Sequence, residues 1–258
     1  MAVHPAGSGT MSKCLIVTGG GRGIGAEVSR KAAKQGYSVC VNFHRDQASA
    51  QKLVRELEKE GANAIAYQAD VSQEEEVEAL FQTVEKHLGT PEALVNNAGI
   101  LDLQTRVDGM NAERIQRIFA VNVTGSFLCA REAVKRMSKK YGGKGGSIVN
   151  LSSGAAKYGS PGEYVDYAAS KAAIDTLTIG LAKEVAEEGI RVNAVRPGFI
   201  DTEIHQSGGE PDRMERVRPL VPMKRVGQAK EVADAIMWLL SDKASYATGT
   251  ILDVSGGR

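Results

Sequence analysis

The chain has 258 residues with 32 Lys and Arg against 31 Asp and Glu, a formal net charge of +1, so no basic excess points to nucleic acid. At 42% hydrophobic and 24% charged residues it has the composition of an ordinary globular protein, and no apolar run reaches membrane-spanning length. Nucleic acid and membrane are both set aside, and a small molecule is the expected partner.

The opening "MAVHPAGSGT" has neither a charged n-region nor an apolar h-region, so it does not read as a signal peptide. Because "MSK" at Met11 looks like a second start, residues 1–11 are expected to be a disordered tail or an expression remnant. Residues 12–258 are then expected to form one domain, since α/β folds of roughly 200 to 250 residues are routinely single. The three cysteines, Cys14, Cys40 and Cys129, have no metal-like or redox-like spacing. They read as buried free thiols of a reducing compartment, the cytoplasm.

Short β-branched or apolar runs recur at "CLIV" (14 to 17), "YSVCV" (37 to 41), "AIAYQ" (64 to 68), "ALVN" (93 to 96), "SIVNLS" (147 to 152), "RVNAV" (191 to 195) and "TILDV" (250 to 254). Between the first four, "GIGAEVSRKAAKQG", "QASAQKLVRELEKEG" and "EEEVEALFQTVEKHLG" carry apolar residues at three-four spacing and end in glycine, a helix C-terminal signal. Ser72 and Glu75 are placed to form a capping box opening the third helix. Strands buried on both faces and joined by helices make a doubly wound α/β fold with a parallel sheet.

Ligands of such sheets bind beyond the carboxyl ends of the strands. Just after those ends stand "TGGGRGIG" (18 to 25), Asp70, "NNAG" (96 to 99), Ser153 and "RPGFIDT" (196 to 202). A strand followed by Gly19, Gly23 and Gly25 and then a helix is a dinucleotide-binding arrangement: the turn lets backbone approach a pyrophosphate, and the helix supplies N–H groups. Asp70 and Val71 are suited to adenine. The residues that discriminate a ribose hydroxyl from a 2′-phosphate are "NFHRD" (42 to 46), which offer Phe43 at the strand end, then His44 and Arg45, and no acid before Asp46. Arg22 and Arg45 would meet a 2′-phosphate, which favours NADP(H) over NAD(H); the alternative is two surface arginines and a dual site.

In "DYAASK" (166 to 171) Tyr167 and Lys171 stand four apart, one above the other on a helix face. A phenol with a pKa near 10 becomes a usable acid when an ammonium one turn away stabilises its phenolate. Ser153 is placed to hydrogen-bond the same substrate oxygen. Asn122, inside the long segment 112 to 139, either holds a water linking Lys171 to solvent or is a polar helix residue.

These motifs together resemble the short-chain dehydrogenase/reductase family from about residue 12 to the end. Its Thr-Gly-x-x-x-Gly-x-Gly turn matches Thr18, Gly19, Gly23 and Gly25, its Asn-Asn-Ala-Gly matches Asn96 to Gly99, and its catalytic Asn, Ser, Tyr and Lys match Asn122, Ser153, Tyr167 and Lys171. The resemblance implies a Rossmann-like three-layer sandwich with a mostly parallel seven-stranded sheet, a homotetramer, and a hydride transfer between NADP(H) and a carbonyl or secondary alcohol with Tyr167 as general acid/base. It assigns the cofactor to Thr18, Gly19, Gly21, Arg22, Gly23, Ile24 and Gly25, to Phe43, His44, Arg45, Asp70 and Val71, to Asn97, Ala98 and Gly99, to Tyr167 and Lys171, and to Pro197, Gly198, Ile200 and Thr202. No metal is implied, because His4, His44, His87 and His205 are scattered without ligand spacing.

Two features concern the substrate. Ser153 precedes Tyr167 by one residue more than the family's commonest spacing of 13, which places an extra residue in "YGSPGEYVD" at the substrate mouth. The polar segment 203 to 220, with Arg213, Arg216 and Arg218, is expected to close over the ligand, the arginines meeting an anionic substrate, a carrier protein or only solvent. The stretch "GSPGEYVDYAASK" is similar to sugar-dehydrogenase-like members, and the whole also to 3-oxoacyl carrier-protein reductases. An NAD-linked sugar or polyol dehydrogenase and a non-catalytic NADP-binding sensor or scaffold remain as alternatives.

Overall fold

The computed structural model describes residues 12–202 and 213–258, so the expected N-terminal tail and residues 203 to 212 of the substrate segment lie outside the described residues. Strand β1 (Cys14–Val17) is followed by α1 (Gly23–Lys34), β2 (Ser38–Phe43), α2 (Gln47–Lys59), β3 (Ala64–Gln68), α3 (Glu74–Leu88) and β4 (Pro91–Asn96). Each of these three helices is closed by a glycine of positive φ, Gly36, Gly61 and Gly89 at +85°, +85° and +90°, a conformation that other residues adopt only with strain.

The second half runs α4 (Ala112–Phe119), α5 (Gly125–Met137), β5 (Gly146–Leu151), α6 (Ala155–Tyr158), α7 (Val165–Val185), β6 (Ile190–Pro197), β7 (Ile200–Asp201), α8 (Arg213–Val217), β8 (Gly227–Gln228), α9 (Ala229–Leu240) and β9 (Ile251–Val254). The main sheet has the order β3-β2-β1-β4-β5-β6-β9, and every pairing in it is parallel. A second, two-stranded sheet, which the sequence did not suggest, pairs Ile200 and Asp201 of β7 with Gly227 and Gln228 of β8.

The strand period of two divides the core. Leu15 and Val17 of β1 join the cluster that includes Val28 of α1, Leu53 of α2 and Ile236 of α9, whereas Cys14 and Ile16 join Phe81 of α3, Cys129 of α5 and Val185 of α7. Helices therefore cover both faces, which accounts for strands with no polar side. The three cysteines are free and buried, and burial pushes the thiols of Cys14 and Cys129 up to about 12.

The Ser72–Glu75 capping box does not form. Asp70 Oδ1 accepts from both the Ser72 N–H (2.9 Å) and the Ser72 hydroxyl (2.7 Å), and α3 starts after Gln73 with no side-chain cap. A hydroxyl held by Asp70 is not available to the helix. The segment 112 to 139 is helical but interrupted: Ala120–Thr124 form a π-turn between α4 and α5.

One buried ion pair fixes where α7 begins. Arg114 Nε and Nη2 donate to the two oxygens of Asp166 at 2.6 and 3.3 Å, Arg114 Nη1 donates to the Leu103 carbonyl at 2.5 Å, and Asp166 Oδ1 also accepts the Tyr167 N–H at 2.9 Å. The paired carboxylate in turn holds the guanidinium pKa up. Breaking such a pair leaves an uncompensated charge, so Asp166→Asn is expected to lower unfolding free energy in urea by about 3 kcal/mol. Arg114→Met combined with Asp166→Leu is expected to recover most of that loss; a single variant as stable as wild type would show that the pair does not hold the helix.

Candidate active site

The turn after β1 is built from close approaches. Gly19 and Gly23 have φ of +58° and +50°, and a Cβ on Gly25 would lie 2.6 Å from Asn97 Nδ2 and 2.7 Å from the Gly19 carbonyl oxygen. Thr18 Oγ1 accepts from the N–H groups of Asn97 and Ala98, both at 3.0 Å, while Asn97 Nδ2 donates to the carbonyls of Thr18 and Gly19, both at 2.9 Å. The "TGGGRGIG" and "NNAG" segments are thereby one unit. Asn42, unremarked in the sequence, supports the turn from β2: its Oδ1 accepts from Gly19 N at 3.3 Å and its Nδ2 donates to Ala69 O at 3.1 Å. An amide inside the apolar run "SVCVNF" was the available signal.

At the far end of this crevice the expectations are met unevenly. Phe43 does close β2, but its side chain is buried in the core cluster rather than turned to the crevice, because β2 alternates it with Asn42. His44 and Arg45 are exposed. Arg22 Nε pairs with Asp46 Oδ2 at 3.4 Å, so part of its charge is already answered. Asp46 also caps α2 by accepting from Ser49 N at 3.1 Å, and that bond holds its carboxyl below the usual range. His44 Nδ1 lies 3.3 Å from Asp70 Oδ2, and Val71 is buried.

Asn122 sits in the π-turn, fully buried. Its Oδ1 accepts from Ile100 N (2.8 Å), and its Nδ2 donates to Ile100 O (2.9 Å) and Ser170 Oγ (3.0 Å). Ser170 Oγ donates to the Tyr167 carbonyl at 2.7 Å, so the amide braces the first turns of α7. Lys171 Nζ donates to the Leu151 carbonyl at 2.6 Å and lies 5.7 Å from the Tyr167 ring centre. Burial pushes its pKa down to about 8, with Asp175, one turn further along α7, opposing the shift. Ser153 Oγ accepts from Ala155 N at 3.1 Å.

Ser153, Tyr167 and Lys171 line one cleft of about 360 Å³ together with Ile24, Asn97, Gly99, Pro197, Gly198, Ile200 and Thr202. The loop between α6 and α7 forms its mouth through Tyr158, Ser160, Pro161, Glu163 and Tyr164. Arg216 of the substrate segment lines the cleft too, paired with Glu163 at 3.1 Å, while Arg218 is exposed. Among the described residues no three His, Cys, Asp or Glu gather as a metal site.

Residues 19–258 match a family model described as Enoyl-(Acyl carrier protein) reductase. Over 243 residues, 94% of this chain and 98% of the relative, the sequence is 57% identical to an uncharacterized oxidoreductase, YgfF, of Escherichia coli K12. It is 38% identical to glucose 1-dehydrogenase 2 of Bacillus subtilis, covering 95% of this chain and 94% of that one. It is 36% identical to 3-oxoacyl-[acyl-carrier-protein] reductase FabG of Staphylococcus aureus Mu50, covering 96% and 98%.

The chain belongs to the short-chain dehydrogenase/reductase family. Members are NAD(P)-dependent oxidoreductases, and this chain is such an enzyme. The glycine turn fits a dinucleotide on its own evidence. The first turn of α1 carries no acidic residue and its start no side-chain cap, so its N–H groups are left for a phosphate.

The depressed pKa of Lys171 has a thermodynamic signature. A folded-state value near 8 against 10.5 unfolded means that the unfolded chain binds the extra proton in that window. Stability from this group is therefore present above pH 10.5 and lost as pH falls toward 8. The wild-type unfolding free energy minus that of Lys171→Met is expected to rise across that interval; a flat difference would place the ammonium in solvent.

Proposed function

We propose that the protein transfers a hydride between NADP(H) and a carbonyl or secondary alcohol, with Tyr167 as the proton donor and acceptor. The observation that carries this reading is the single cleft in which Tyr167, Ser153 and the buried ammonium of Lys171 stand beside the glycine turn. A bound nicotinamide supplies the hydride. Tyr167 gives its phenolic proton to the carbonyl oxygen, and the Lys171 charge stabilises the phenolate that is left. Ser153 Oγ already accepts from Ala155, so its own proton is free to point at the same oxygen. Asn122 acts by position, holding Ile100 and Ser170.

The residues that would hold the cofactor are the glycine turn with Arg22 and Ile24, the Asn97–Gly99 loop, Asp70 and Val71 at adenine, and Pro197, Gly198, Ile200 and Thr202 at the nicotinamide. His44 and Arg45 would face the adenosine ribose. The absence of an acid at the end of β2 supports NADP(H). The Arg22–Asp46 pair supports the second reading, an NAD-linked sugar or polyol dehydrogenase, since it leaves less positive charge for a 2′-phosphate. A non-catalytic sensor or scaffold has no such observation in its favour. We place the enzyme in the cytoplasm, as the buried unpaired thiols suggest, and as a homotetramer, for which Phe127 of α5 and Ile179 of α7, 49% and 41% exposed, offer apolar contact.

Tyr167→Phe is expected to lower kcat about 10²- to 10⁴-fold on the best substrate while the cofactor Kd, measured by fluorescence titration, stays near wild type. Retention of more than about a tenth of kcat would remove Tyr167 from proton transfer. For the cofactor, a charge-assisted bond to a 2′-phosphate contributes about 1.5 to 3 kcal/mol before solvent and salt reduce it. Wild type is expected to prefer NADPH over NADH in kcat/KM. Arg22→Ala and Arg45→Ala should each raise KM for NADPH, and His44→Asp should shift preference toward NADH. A ratio that none of the three alters would remove Arg22, His44 and Arg45 from the choice of cofactor.

A further inference from the structure

Arg258 lines the cleft of Ser153 and Tyr167, and among the described residues its guanidinium makes no hydrogen bond or ion pair. Its central carbon lies 4.5 Å from the ring centre of Phe199 and 4.8 Å from that of Tyr158, and Ser255 Oγ donates to its carbonyl at 2.7 Å. Nη1 is buried without a hydrogen-bond partner. The carboxylates that line this cleft and the adjoining cavity are committed elsewhere: Glu163 to Arg216 (3.1 Å), Asp253 to Lys157 (2.7 Å), and Glu231 to Arg225 (2.6 Å).

A guanidinium has five N–H donors in a fixed plane, no acceptor, and no neutral form within reach. Two aromatic rings hold the guanidinium at the cleft without satisfying its N–H donors, so it is oriented in advance for a planar anion. The charged lining of the cleft points the same way, with Lys171, Arg216 and Arg258 against Glu163 alone.

We propose that Arg258 binds the carboxylate of the substrate, which makes the substrate class an oxo acid and the corresponding hydroxy acid. This rests on the oxidoreductase reading above and deepens it. In the reducing direction the carbonyl carbon gains the hydride of the reduced nicotinamide, the oxygen gains the Tyr167 proton, and the carboxylate is unchanged. The product is a hydroxy acid and the oxidised cofactor.

The test compares straight-chain 2-oxo and 3-oxo carboxylates with their primary amides, using both NADPH and NADH. Wild type is expected to favour the carboxylates at least about tenfold in kcat/KM, and Arg258→Met to lose about ten- to a hundredfold on them through KM. The amides should be affected less than about twofold in the same variant, which also shows that it folds, and Arg258→Lys should fall between. Equal use of acid and amide by wild type, or a variant that slows both alike, overturns the assignment. Titration calorimetry with oxamate and oxamide decides the binding independently of turnover. Oxamate bound by wild type and lost in Arg258→Met upholds it, and equal binding overturns it. Wild type that reduces neutral ketones without discriminating acids loses this inference alone, whereas wild type that reduces no carbonyl while retaining Arg258-dependent oxamate binding loses the oxidoreductase reading instead.

Discussion

Strands β1 and β4 are neighbours in the sheet although Thr18 and Val95, which meet there, are 77 positions apart. The chain leaves the two strand ends in opposite directions, and a crevice opens between them. Its rims are held by side chains. Thr18 Oγ1 takes two N–H groups from one rim, and Asn97 Nδ2 returns two bonds to the carbonyls of the other. The same loop continues to Gly99, where a Cβ would come within 3.4 Å of Lys171 Nζ and 3.5 Å of Asn122 Oδ1. The glycine turn and the ammonium are thus joined through one short loop, Asn97 to Gly99.

That ammonium is the most costly group in the site to bury. It has one carbonyl partner, Leu151, and its counter-charge, Asp175, is engaged by Arg196 Nε and Nη2 at 3.0 and 2.7 Å. Asp175 therefore acts on Lys171 through the field rather than by contact, and it offsets only part of the desolvation. A direct ion pair would have raised the lysine far above neutrality. The arrangement leaves it near 8, close enough to neutral pH for small changes in the cleft to alter its charge.

What the sequence made legible was whatever repeats a local period or a strand-end position. The seven strands of the main sheet follow their apolar runs, and the three helices that end in glycine end where those glycines require. That Ser153, Tyr167 and Lys171 share one cleft was legible because a parallel sheet delivers every strand end to one edge. Features set by competition between neighbours were not. Asp70 takes the Ser72 hydroxyl that a capping box needs, and the two-residue strands β7 and β8 are too short to show a period. The π-turn around Asn122 adds a residue to a helix whose pattern reads as continuous, and the ring contacts of Arg258 join it to positions 59 and 100 residues away that no local signal connects.

The longer Ser153–Tyr167 spacing is taken up in a tightly turned loop. Between α6 and α7, Gly159, Ser160 and Gly162 have φ of +72°, +44° and +74°, and the N–H groups of Glu163 and Tyr164 both donate to the Ser160 carbonyl. A serine in the left-handed region costs on the order of 1 kcal/mol. Asp166 is clamped by Arg114 at the start of α7, and Lys171 of the same helix donates to the Leu151 carbonyl. Glu163 of this loop reaches outward and pairs with Arg216 on α8. Length changes in this loop therefore fall on the wall of the cleft and apart from the helix that carries Tyr167 and Lys171.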